Sequence, residues 1–576
     1  MSKNNGIDNK QKVLFSQEEI NKMLDSVPSN IHAYIDSLQN QISNMSAIGL
    51  ALSKERDMDK LLEMILLEAK RISNADGGTL YMMTDDRRLR FSIMITDSLD
   101  VHMGGTSGKE IPFYPVKLYN DDGDPNENMI AANAAINGTT INIPDAYKAK
   151  GFDFSGTKAF DEKTGYRSKS FLTVPLKNHE NEIIGVLQLL NAQDIKSKKV
   201  ISFSQRVQES VEALSSQAAV AITNKNLIKD LEVLFESFIK LIASAIDAKS
   251  PYTGGHCSRV PEITMMLAES VNDINEGPFA GIQFSDKEMY ELKIAAWLHD
   301  CGKVATPEYV VDKSTKLETI FDRIHIVATR FEVIKRDEEI KFLKKQLTIQ
   351  KNNSLSDVEK KESIKKARVL YLKKIKQLEK DKTFIEESNF GGEFMSQDRK
   401  DKVNKIASYR YKDNGSAKPF LSDNEVYNLC ISRGTLTPEE RKVINDHIVV
   451  TIEMLEQLPY PKHLRNVPEF AGGHHEKMDG TGYPKGLNES QMSTQAKIMA
   501  IADIYEALTA ADRPYKEGKK LSQAMRIMGF MKNDYHIDEE LFEIFVTSGV
   551  YRQYAEEHVA KTQIDEVDEK SVLGKE

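Results

Sequence analysis

The C-terminal half of the chain is organised around one stretch, Gly473-His474-His475-Glu476-Lys477-Met478-Asp479-Gly480-Thr481-Gly482-Tyr483-Pro484, in which two adjacent histidines precede a glycine-rich turn. Side chains of neighbouring residues point in different directions, so paired histidines are unusual inside a packed core. They suit a metal centre that takes two nitrogen ligands from one corner of the chain. Taken alone, the pair fits a ligand role and a non-ligand role about equally well.

Further residues of metal-ligand type lie on both sides of this stretch. They are His256 after Gly255, His299 and Asp300 in a His-Asp-Cys-Gly-Lys motif, His447 after Asp446, and Asp503. An apolar helix predicted over 292–300 draws His299 and Asp300 inward. Polar groups inside a protein need partners. The pattern therefore favours a buried site in which these side chains are satisfied.

In order and chemistry, these motifs resemble the HD-GYP family of metal-dependent cyclic-dinucleotide phosphodiesterases. The resemblance covers the C-terminal part of the chain, from about His256 onward. It implies an all-α HD-type phosphohydrolase domain that hydrolyses cyclic di-GMP to pGpG or GMP. Two alternatives stay open: hydrolysis of 3′,3′-cyclic GMP-AMP, and a non-catalytic receptor for a cyclic dinucleotide. The filled ligand positions favour an enzyme.

The resemblance implies two divalent transition-metal ions, iron or manganese, as cofactors. The first ion is expected on His256, His299, Asp300 and Asp503, and the second on His447, His474 and His475, with Asp300 as the bridge. A shared carboxylate holds two ions about 3.5–4 Å apart, where a bridging water loses its proton at neutral pH and attacks phosphorus.

Catalytic and substrate-binding roles follow from the same resemblance. Asp300 and Lys303 are expected to be catalytic, with Lys303 neutralising a phosphate oxygen in the transition state. The family uses an arginine near a substrate phosphate, which falls on Arg513 here, with a surface charge as the alternative. Tyr483 is expected either to pack on the substrate or to structure its own loop.

The loop after the two histidines bends tightly beside the ligands. Gly480, Gly482 and Pro484 are residues that such a bend requires. Asp479 is expected to orient a ligand histidine from behind or to cap the loop.

The number of metals depends on one position before the first histidine. Some family members hold a third metal through a glutamate four residues before this histidine, and Tyr252 occupies that position here. We therefore predict a two-metal site. Asp247 is a weaker candidate for a third-metal ligand.

Two histidines are candidates for the ligand that completes the second ion's set beside His474 and His475. His325 follows a segment that resembles the one expected before this ligand, and so does His447. We prefer His447, because Thr437 and Glu440 have capping-box spacing ahead of it. Ahead of His447 lies a charged, helical insertion over 318–432, which includes His325 and is interpreted as a lid, a dimer contact, a docking arm or a tolerated surface insertion.

The N-terminal half alternates helical and strand patterns. A helix over 61–69 is followed by strands over 77–83, 91–95, 170–176 and 183–191. This order resembles a GAF domain, an α+β sensor fold whose pocket binds a small molecule in many members and none in others, so a small-molecule ligand is one of two expectations. Phe160 and Asp161 are interpreted as pocket wall and polar anchor, or equally as residues that shape a loop. The small residues of 131–138 suit close approach of backbone to a ligand, but they are also ordinary.

A long helix predicted over 204–249 joins the two halves. Apolar residues recur along it in alternating steps of four and three, at Leu227, Leu231, Leu234, Phe238, Leu241 and Ala245. This spacing is typical of a two-stranded seam, so we expect a homodimer. The alternative is that the stripe packs on its own domain.

Composition excludes several classes of function. The 576 residues carry a net charge of −9, with 40% hydrophobic and 29% charged residues, as in ordinary soluble proteins. The acidic balance argues against a nucleic-acid polymer as partner. Three scattered cysteines, and the lack of a signal peptide or an apolar span, lead us to expect a cytoplasmic protein without membrane partners.

The predicted fold class is multidomain: a GAF-like α+β sensor joined by a long helix to an all-α HD-type phosphohydrolase. The predicted divisions are a flexible tail over 1–30, the GAF-like domain with its flanking helix over 31–203, the linker helix over 204–249, the phosphodiesterase domain over 250–560 with the insertion 318–432, and a C-terminal tail over 561–576.

Overall fold

The computed structural model describes residues 29–249, 255–392, 394–413, 416–511 and 518–575. The chain divides into two compact units, one ending at Val233 and the other beginning at Leu234. Most of the expected N-terminal tail, together with Tyr252 and Arg513, lies outside the described residues.

The first unit begins with two helices and continues through short strands and helices. Its elements are α1 Ser29–Lys54, α2 Met58–Ser73, β1 Ala75–Met83, β2 Arg88–Thr96, β3 Val101–Gly104, β4 Val116–Lys117, α3 Ile130–Asn137, β5 Ile141–Ile143, α4 Ser155–Thr164, β6 Phe171–Lys177, β7 Ile183–Gln193, β8 Val200–Ile201 and the first part of α5 Gln205–Lys249.

These strands form one antiparallel sheet in the order β3-β2-β1-β7-β6-β5, with β4 paired to β2 and β8 paired to β7. Successive side chains of a strand point to opposite faces. Leu80 of β1 accordingly packs with α2 and α5, whereas Tyr81 packs with the alanines of α3 on the other face. Most of the small residues of 131–138 form α3, where they let a helix lie close against the sheet.

The second unit is mainly helical. Its elements are the rest of α5, α6 His256–Asn272, α7 Asp286–Leu298, a 3₁₀ turn Cys301–Ala305, α8 Glu308–Val311, α9 Ile324–Lys351, α10 Asp357–Asn389, α11 Gln397–Ala407, β9 Arg410–Asp413, β10 Ser416–Pro419, α12 Asp423–Leu429, α13 Pro438–Asn445, α14 His447–Glu456, α15 Val467–Gly473, α16 Thr494–Thr509, α17 Leu521–Asn533, α18 Glu539–Thr547, α19 Val550–His558 and α20 Glu569–Leu573.

Helix starts in this unit follow from local sequence. Capping boxes, in which side chain and backbone satisfy each other reciprocally, open α7 at Ser285 and α13 at Thr437. The apolar faces of α6, α7 and α16 then share one core, in which Tyr505 is fully buried. The segment 561–576, expected as a tail, differs from that expectation: it forms α20 and buries Val567 against this core.

The insertion has a core of its own. Its long helices α9 and α10 lie antiparallel, with the ring of Phe342 stacked on that of Tyr371 at 5.2 Å. Phe331 and Phe420 are buried at its base. The insertion is not purely helical, because β9 and β10 pair within it. A segment with its own buried residues is a folded element rather than a loose surface loop.

Candidate metal centre

Four helix termini and the middle of one helix bring the seven predicted ligands together. His256 is the first residue of α6, His299 and Asp300 follow α7, His447 is the first residue of α14, His474 and His475 follow α15, and Asp503 lies within α16. Five of the seven are buried, and His475 and Asp503 are partly exposed. The predicted ligands thus surround one point in the helical unit.

Asp300 contacts histidines on both sides of the centre. Its Oδ2 lies 3.3 Å from Nε2 of His256 and 3.2 Å from Nε2 of His299. Its Oδ1 lies 3.1 Å from Nε2 of His447. Asp503 Oδ1 lies 3.2 Å from Nε2 of His256, on the first side only. One carboxylate therefore presents different oxygens to two groups of imidazoles, as a bridging ligand must.

The backbone fixes the orientation of three of these rings. Nδ1 of His299 and of His474 each lies 2.7 Å from the carbonyl oxygen three residues earlier, that of Ala296 and Ala471 respectively. His447 makes the same contact with Ile444. A carbonyl can only accept, so each Nδ1 carries the proton and each Nε2 has a free lone pair. This tautomer is the one that a metal ligand needs.

The free lone pairs converge in two groups. Ligand atoms of His256, His299 and Asp300 all lie within 4.8 Å of one another, and so do those of His447, His474 and His475. Among the residues that the structure describes, Nε2 of His299, His447 and His474 and Oδ1 of Asp300 are buried without a hydrogen-bond partner. Buried polar atoms without partners are costly. Divalent metal ions would satisfy all of them, so the donor set fits a two-ion centre.

The protonation of the two groups differs. Burial lowers the pKa of His256, but its bonds to Asp300, Asp503 and Glu506 outweigh burial and hold the pKa well above its ordinary value. In the second group, burial holds the pKa of His474 well below its ordinary value and lowers that of His475 to about 4. The first group is rich in negative charge, whereas His474 and His475 of the second group are neutral imidazoles.

Glu506 is a functional residue that the sequence prediction missed. Its Oε2 is hydrogen-bonded to Nδ1 of His256. Its Oε1 accepts from Nε of Arg259 at 2.8 Å and pairs with Nη2 of the same arginine at 2.6 Å. Carboxylates behind ligand histidines set the ring orientation and raise the basicity of the ligand. The available signal was its position three residues after Asp503, which places both acids on one helix face.

Gly302 lets the two groups come together. A Cβ atom at this position would lie 2.0 Å from the carbonyl oxygen of His447 and 2.6 Å from the backbone nitrogen of Thr451. The Gly302 N–H donates to Oγ1 of Thr451 at 2.9 Å. The segment that carries Asp300 therefore packs backbone against backbone on the helix that begins with His447.

Two residues of the last turn of α5 hold the edges of the centre. Asp247 accepts from the N–H of Gly255 at 3.0 Å and of Cys257 at 3.4 Å, on either side of His256. Lys249 donates to the carbonyls of Lys303, Val304 and Thr306 at 2.6–3.1 Å. The carboxylate considered for a third metal is thus engaged with backbone N–H groups.

Lys303 points back toward the ligands. Its Nζ is 2.5 Å from Oδ2 of Asp300, and about a quarter of its side chain is exposed. Burial lowers its pKa, but the nearby charge of Asp300 outweighs burial and raises the pKa above its ordinary value. The ammonium group therefore stays charged at the mouth of the centre.

The glycine-rich loop is organised by Glu476. This buried carboxylate accepts from the N–H of Lys485 at 2.7 Å and of Leu487 at 2.9 Å. Asp479 is exposed and accepts from the N–H and hydroxyl of Thr481, so its contacts cap the loop. Gly480 has a φ of +77°, which favours glycine.

Tyr483 and its neighbours close the loop against the second group. A Cβ on Gly482 would lie 2.4 Å from the backbone nitrogen of Lys477, so this position has no room for a side chain. The ring of Tyr483, before the cis-bonded Pro484, stacks on that of His475 with centroids 4.9 Å apart. Tyr483 thus structures its loop and stacks on a predicted ligand.

A cavity of about 1380 Å³ opens beside the centre. Lys303 and His447 line it on one side, and residues of the insertion line it on the other. His325, the rival of His447, lies on this second side and outside both ligand groups. The geometry therefore supports the choice of His447.

The two residues predicted for a ligand pocket in the first unit lie on α4. Asp161 is buried and accepts from the N–H and hydroxyl of Ser168 and from the hydroxyl of Tyr147. Phe160 is exposed. The contacts of Asp161 fit the alternative in which this pair shapes a loop.

Comparison with known families separates the same two regions. The GAF domain profile matches residues 57–222, and two HD domain profiles match residues 253–381 and 422–541. The chain carries a GAF domain and an HD domain. The expected order of an α+β GAF fold before a helical HD region is therefore confirmed. Neither HD match includes residues 382–421, which lie within the insertion.

Curated relatives share short stretches with this GAF–HD protein. A 3′3′-cGAMP-specific phosphodiesterase 1 of Vibrio cholerae is 38% identical over 96 residues, 17% of this chain and 22% of the relative. The cyclic di-GMP phosphodiesterase PA4108 of Pseudomonas aeruginosa is 44% identical over 79 residues, 14% of this chain and 18% of the relative. A cyclic di-GMP phosphodiesterase of Thermotoga maritima is 37% identical over 98 residues, which are 17% of this chain and 26% of the relative.

The matched part thus spans between 18 and 26% of the length of these three relatives. Within the described part of the GAF–HD chain, no helix is both long enough and apolar enough for a membrane span.

Proposed function

We propose that this protein is an HD-GYP-type phosphodiesterase that hydrolyses cyclic di-GMP to pGpG or GMP. The observation that carries the proposal is Asp300, whose two oxygens face two groups of histidines with free Nε2 lone pairs. A shared carboxylate between two imidazole groups is the arrangement that two-metal phosphodiester hydrolysis needs.

The first ion is proposed on His256, His299, Asp300 and Asp503, and the second on Asp300, His447, His474 and His475. Imidazole and carboxylate donors suit iron or manganese. Such ions supply Lewis acidity toward a phosphodiester and its attacking water. The protein fixes the ring orientations through backbone carbonyls and the carboxylate of Glu506. Lys303, charged and at the mouth of the cavity, is placed to neutralise a phosphate oxygen as the bond to the 3′ oxygen breaks.

The cavity supports a substrate larger than a mononucleotide. Pockets for small molecules commonly measure about 300–1000 Å³, and this one measures about 1380 Å³. Since its lining includes Lys303 and His447, a bound dinucleotide reaches the ligand groups directly.

3′,3′-cyclic GMP-AMP is the second candidate substrate, because one relative is named for specificity toward it. The two molecules share the phosphodiester that the centre would cleave, so the metal ligands do not distinguish them. A receptor that binds without cutting would need the same cavity but not the free imidazole lone pairs, which favour an enzyme.

We also propose that the protein acts as a homodimer regulated through its GAF domain. Leu231, Leu234 and Leu241 of α5 are 63%, 52% and 63% exposed, whereas Ile239 and Ala243 of the same helix are buried in the HD core. An exposed stripe at seam spacing fits a second copy of the helix. Leu234→Glu with Leu241→Glu should halve the mass in sedimentation, and Lys229→Glu, a charge change away from the stripe, should not.

The deciding experiment is turnover by protein purified without oxygen and loaded with iron or manganese. Cyclic di-GMP and 3′,3′-cyclic GMP-AMP are supplied separately, and the products are separated by chromatography. The proposal expects hydrolysis of cyclic di-GMP that disappears in Asp300→Ala. Full metal content without turnover of either substrate would reject it in favour of a receptor.

A further inference from the structure

The insertion forms the wall of the cavity that faces the metal centre. His325, Glu386, Asn389 and Phe390 all belong to it and all line the cavity. Part of this wall lies in the segment that neither HD profile covers. A ligand whose phosphodiester reached the centre would meet this wall with its remaining parts.

Phe390 stands out because an aromatic ring is exposed on a well-anchored backbone. Its side chain is 65% exposed although it follows directly on α10. Its backbone is bridged to Thr315, and the preceding Asn389 holds the backbone of Lys316 and Leu317 through its two oxygens at 2.9 and 2.8 Å. Anchored and uncovered, the ring offers a flat surface on which a nucleobase can stack.

The next residue ties this wall to the catalytic side. A Cβ on Gly391 would lie 2.7 Å from the carbonyl carbon of Gly434 and 2.8 Å from its oxygen. Gly434 lies just before α13, the helix that leads into His447. The wall therefore has a fixed position relative to the second ligand group.

Glu386 supplies a free carboxylate one helical turn before Phe390. It is partly buried, and it makes no hydrogen bond or ion pair with any described residue. By contrast, Glu318 accepts from Ser314, and Asp322 accepts from Asn389. Among these three carboxylates of the cavity lining, Glu386 is the one left for a ligand.

A free carboxylate beside a stacking surface has a definite preference among bases. Guanine presents two adjacent donors on one edge, N1–H and the 2-amino group, which match the two oxygens of a carboxylate. Adenine presents an acceptor at N1 and a single donor group, its 6-amino group, on this edge, so it can pair with at most one of the two carboxylate oxygens. Sites built to bond a donor reject analogues that lack it.

We infer that the insertion wall is a guanine-binding subsite, in which Phe390 stacks on one base of the substrate and Glu386 accepts its N1–H and 2-amino hydrogens. The inference rests on the proposed function, because it places the second half of the same cyclic dinucleotide. It gives the insertion a role in specificity that the metal ligands do not have.

The test compares kinetics of metal-loaded Phe390→Ala and Glu386→Gln on cyclic di-GMP and cyclic di-AMP. Loss of the Phe390 ring in Phe390→Ala is expected to raise KM for cyclic di-GMP about tenfold. Phe390→Tyr keeps an aromatic ring and should have the wild-type KM. Glu386→Gln should lower the kcat/KM ratio of cyclic di-GMP to cyclic di-AMP about tenfold. Phe394→Ala and Glu387→Gln are matched controls, because both residues lie outside the cavity lining.

Metal content, measured on every variant, shows whether the centre is intact. Values of KM for cyclic di-GMP within twofold of wild type in both variants would overturn the inference, and so would equal losses of kcat/KM on the two substrates in Glu386→Gln. Wild-type turnover of bis(p-nitrophenyl) phosphate, a phosphodiester without bases, distinguishes failure of the proposed function from failure of the guanine subsite. If wild type cleaves neither this compound nor cyclic di-GMP, the proposed phosphodiesterase function is wrong.

Discussion

The two ligand groups share Asp300 yet differ in charge. The first joins two imidazoles to the carboxylates of Asp300 and Asp503, and Glu506 lies behind His256. In the second, the ligand atoms of three imidazoles lie within 4.8 Å of one another, and one oxygen of Asp300 contacts His447. Negative ligands attract a divalent cation more strongly than neutral ones. The comparison teaches that the first group should hold its ion tightly, while the second holds an ion that is easier to remove.

Asp300→Ala should have the largest effect, because it removes the residue common to both groups. We expect loss of both ions and of turnover, measured by elemental analysis and by product formation. Asp534→Ala, an exposed acid of the same unit, is the control and should retain both. Retention of two ions by Asp300→Ala would show that the groups do not depend on a bridge.

His447→Ala should remove one ion and leave the other, because it takes an imidazole from the second group only. We expect a loss of about one metal equivalent. His325→Ala should keep both ions, since His325 lies on the cavity wall. In a titration with chelator, wild type should release its ions in two steps. The reverse outcome for the two histidines would exchange their roles.

Glu506→Gln should weaken only the first group. Loss of a carboxylate behind a ligand histidine commonly costs about 10–100-fold in metal affinity. In a titration with chelator, the chelator concentration that releases the first-group ion should therefore move closer to the concentration that releases the second-group ion. Glu556→Gln, on the exposed side of α19, serves as control. Unchanged release of the first-group ion would mean that Arg259, not His256, is the partner that matters for Glu506.

Asp247→Asn should have the smallest effect. The amide keeps one acceptor for the N–H groups that flank His256 but loses the charge. Single hydrogen bonds contribute about 0.5–1.5 kcal/mol, so affinity in the first group should fall about two- to tenfold. Release of the second-group ion should not change. Equal shifts of both steps would indicate a general loss of stability.

Sequence patterns predicted much of this architecture. The alternation over 91–95 predicts a strand because period two is specific to strands, and β2 contains these residues. The motif at His299 and the pair at His474 and His475 pointed to buried polar groups that need partners. The seven ligands themselves came from the family resemblance, and the structure brings them within reach of one another. Their roles stay predictions.

Other features could not be predicted because they depend on contacts between distant segments. Glu506 belongs to no motif, and its role is visible only once α16 meets α6. The sequence leaves the insertion open as a lid, a dimer contact, a docking arm or a tolerated surface insertion. Charge patterns alone do not show that Phe390 lines a cavity. The small residues of 131–138 suit close approach of backbone to a ligand but are also ordinary, and most of them form α3 against the sheet.

The last turn of α5 has a mechanical consequence. Asp247 accepts hydrogen bonds from the residues on either side of His256, and Lys249 donates to the carbonyl of Lys303. Because both side chains belong to one turn, a rotation of α5 or a shift along its axis would displace the predicted metal ligand His256 and the predicted phosphate-binding group of Lys303 together. Such a linkage would change activity as a single step rather than by degrees.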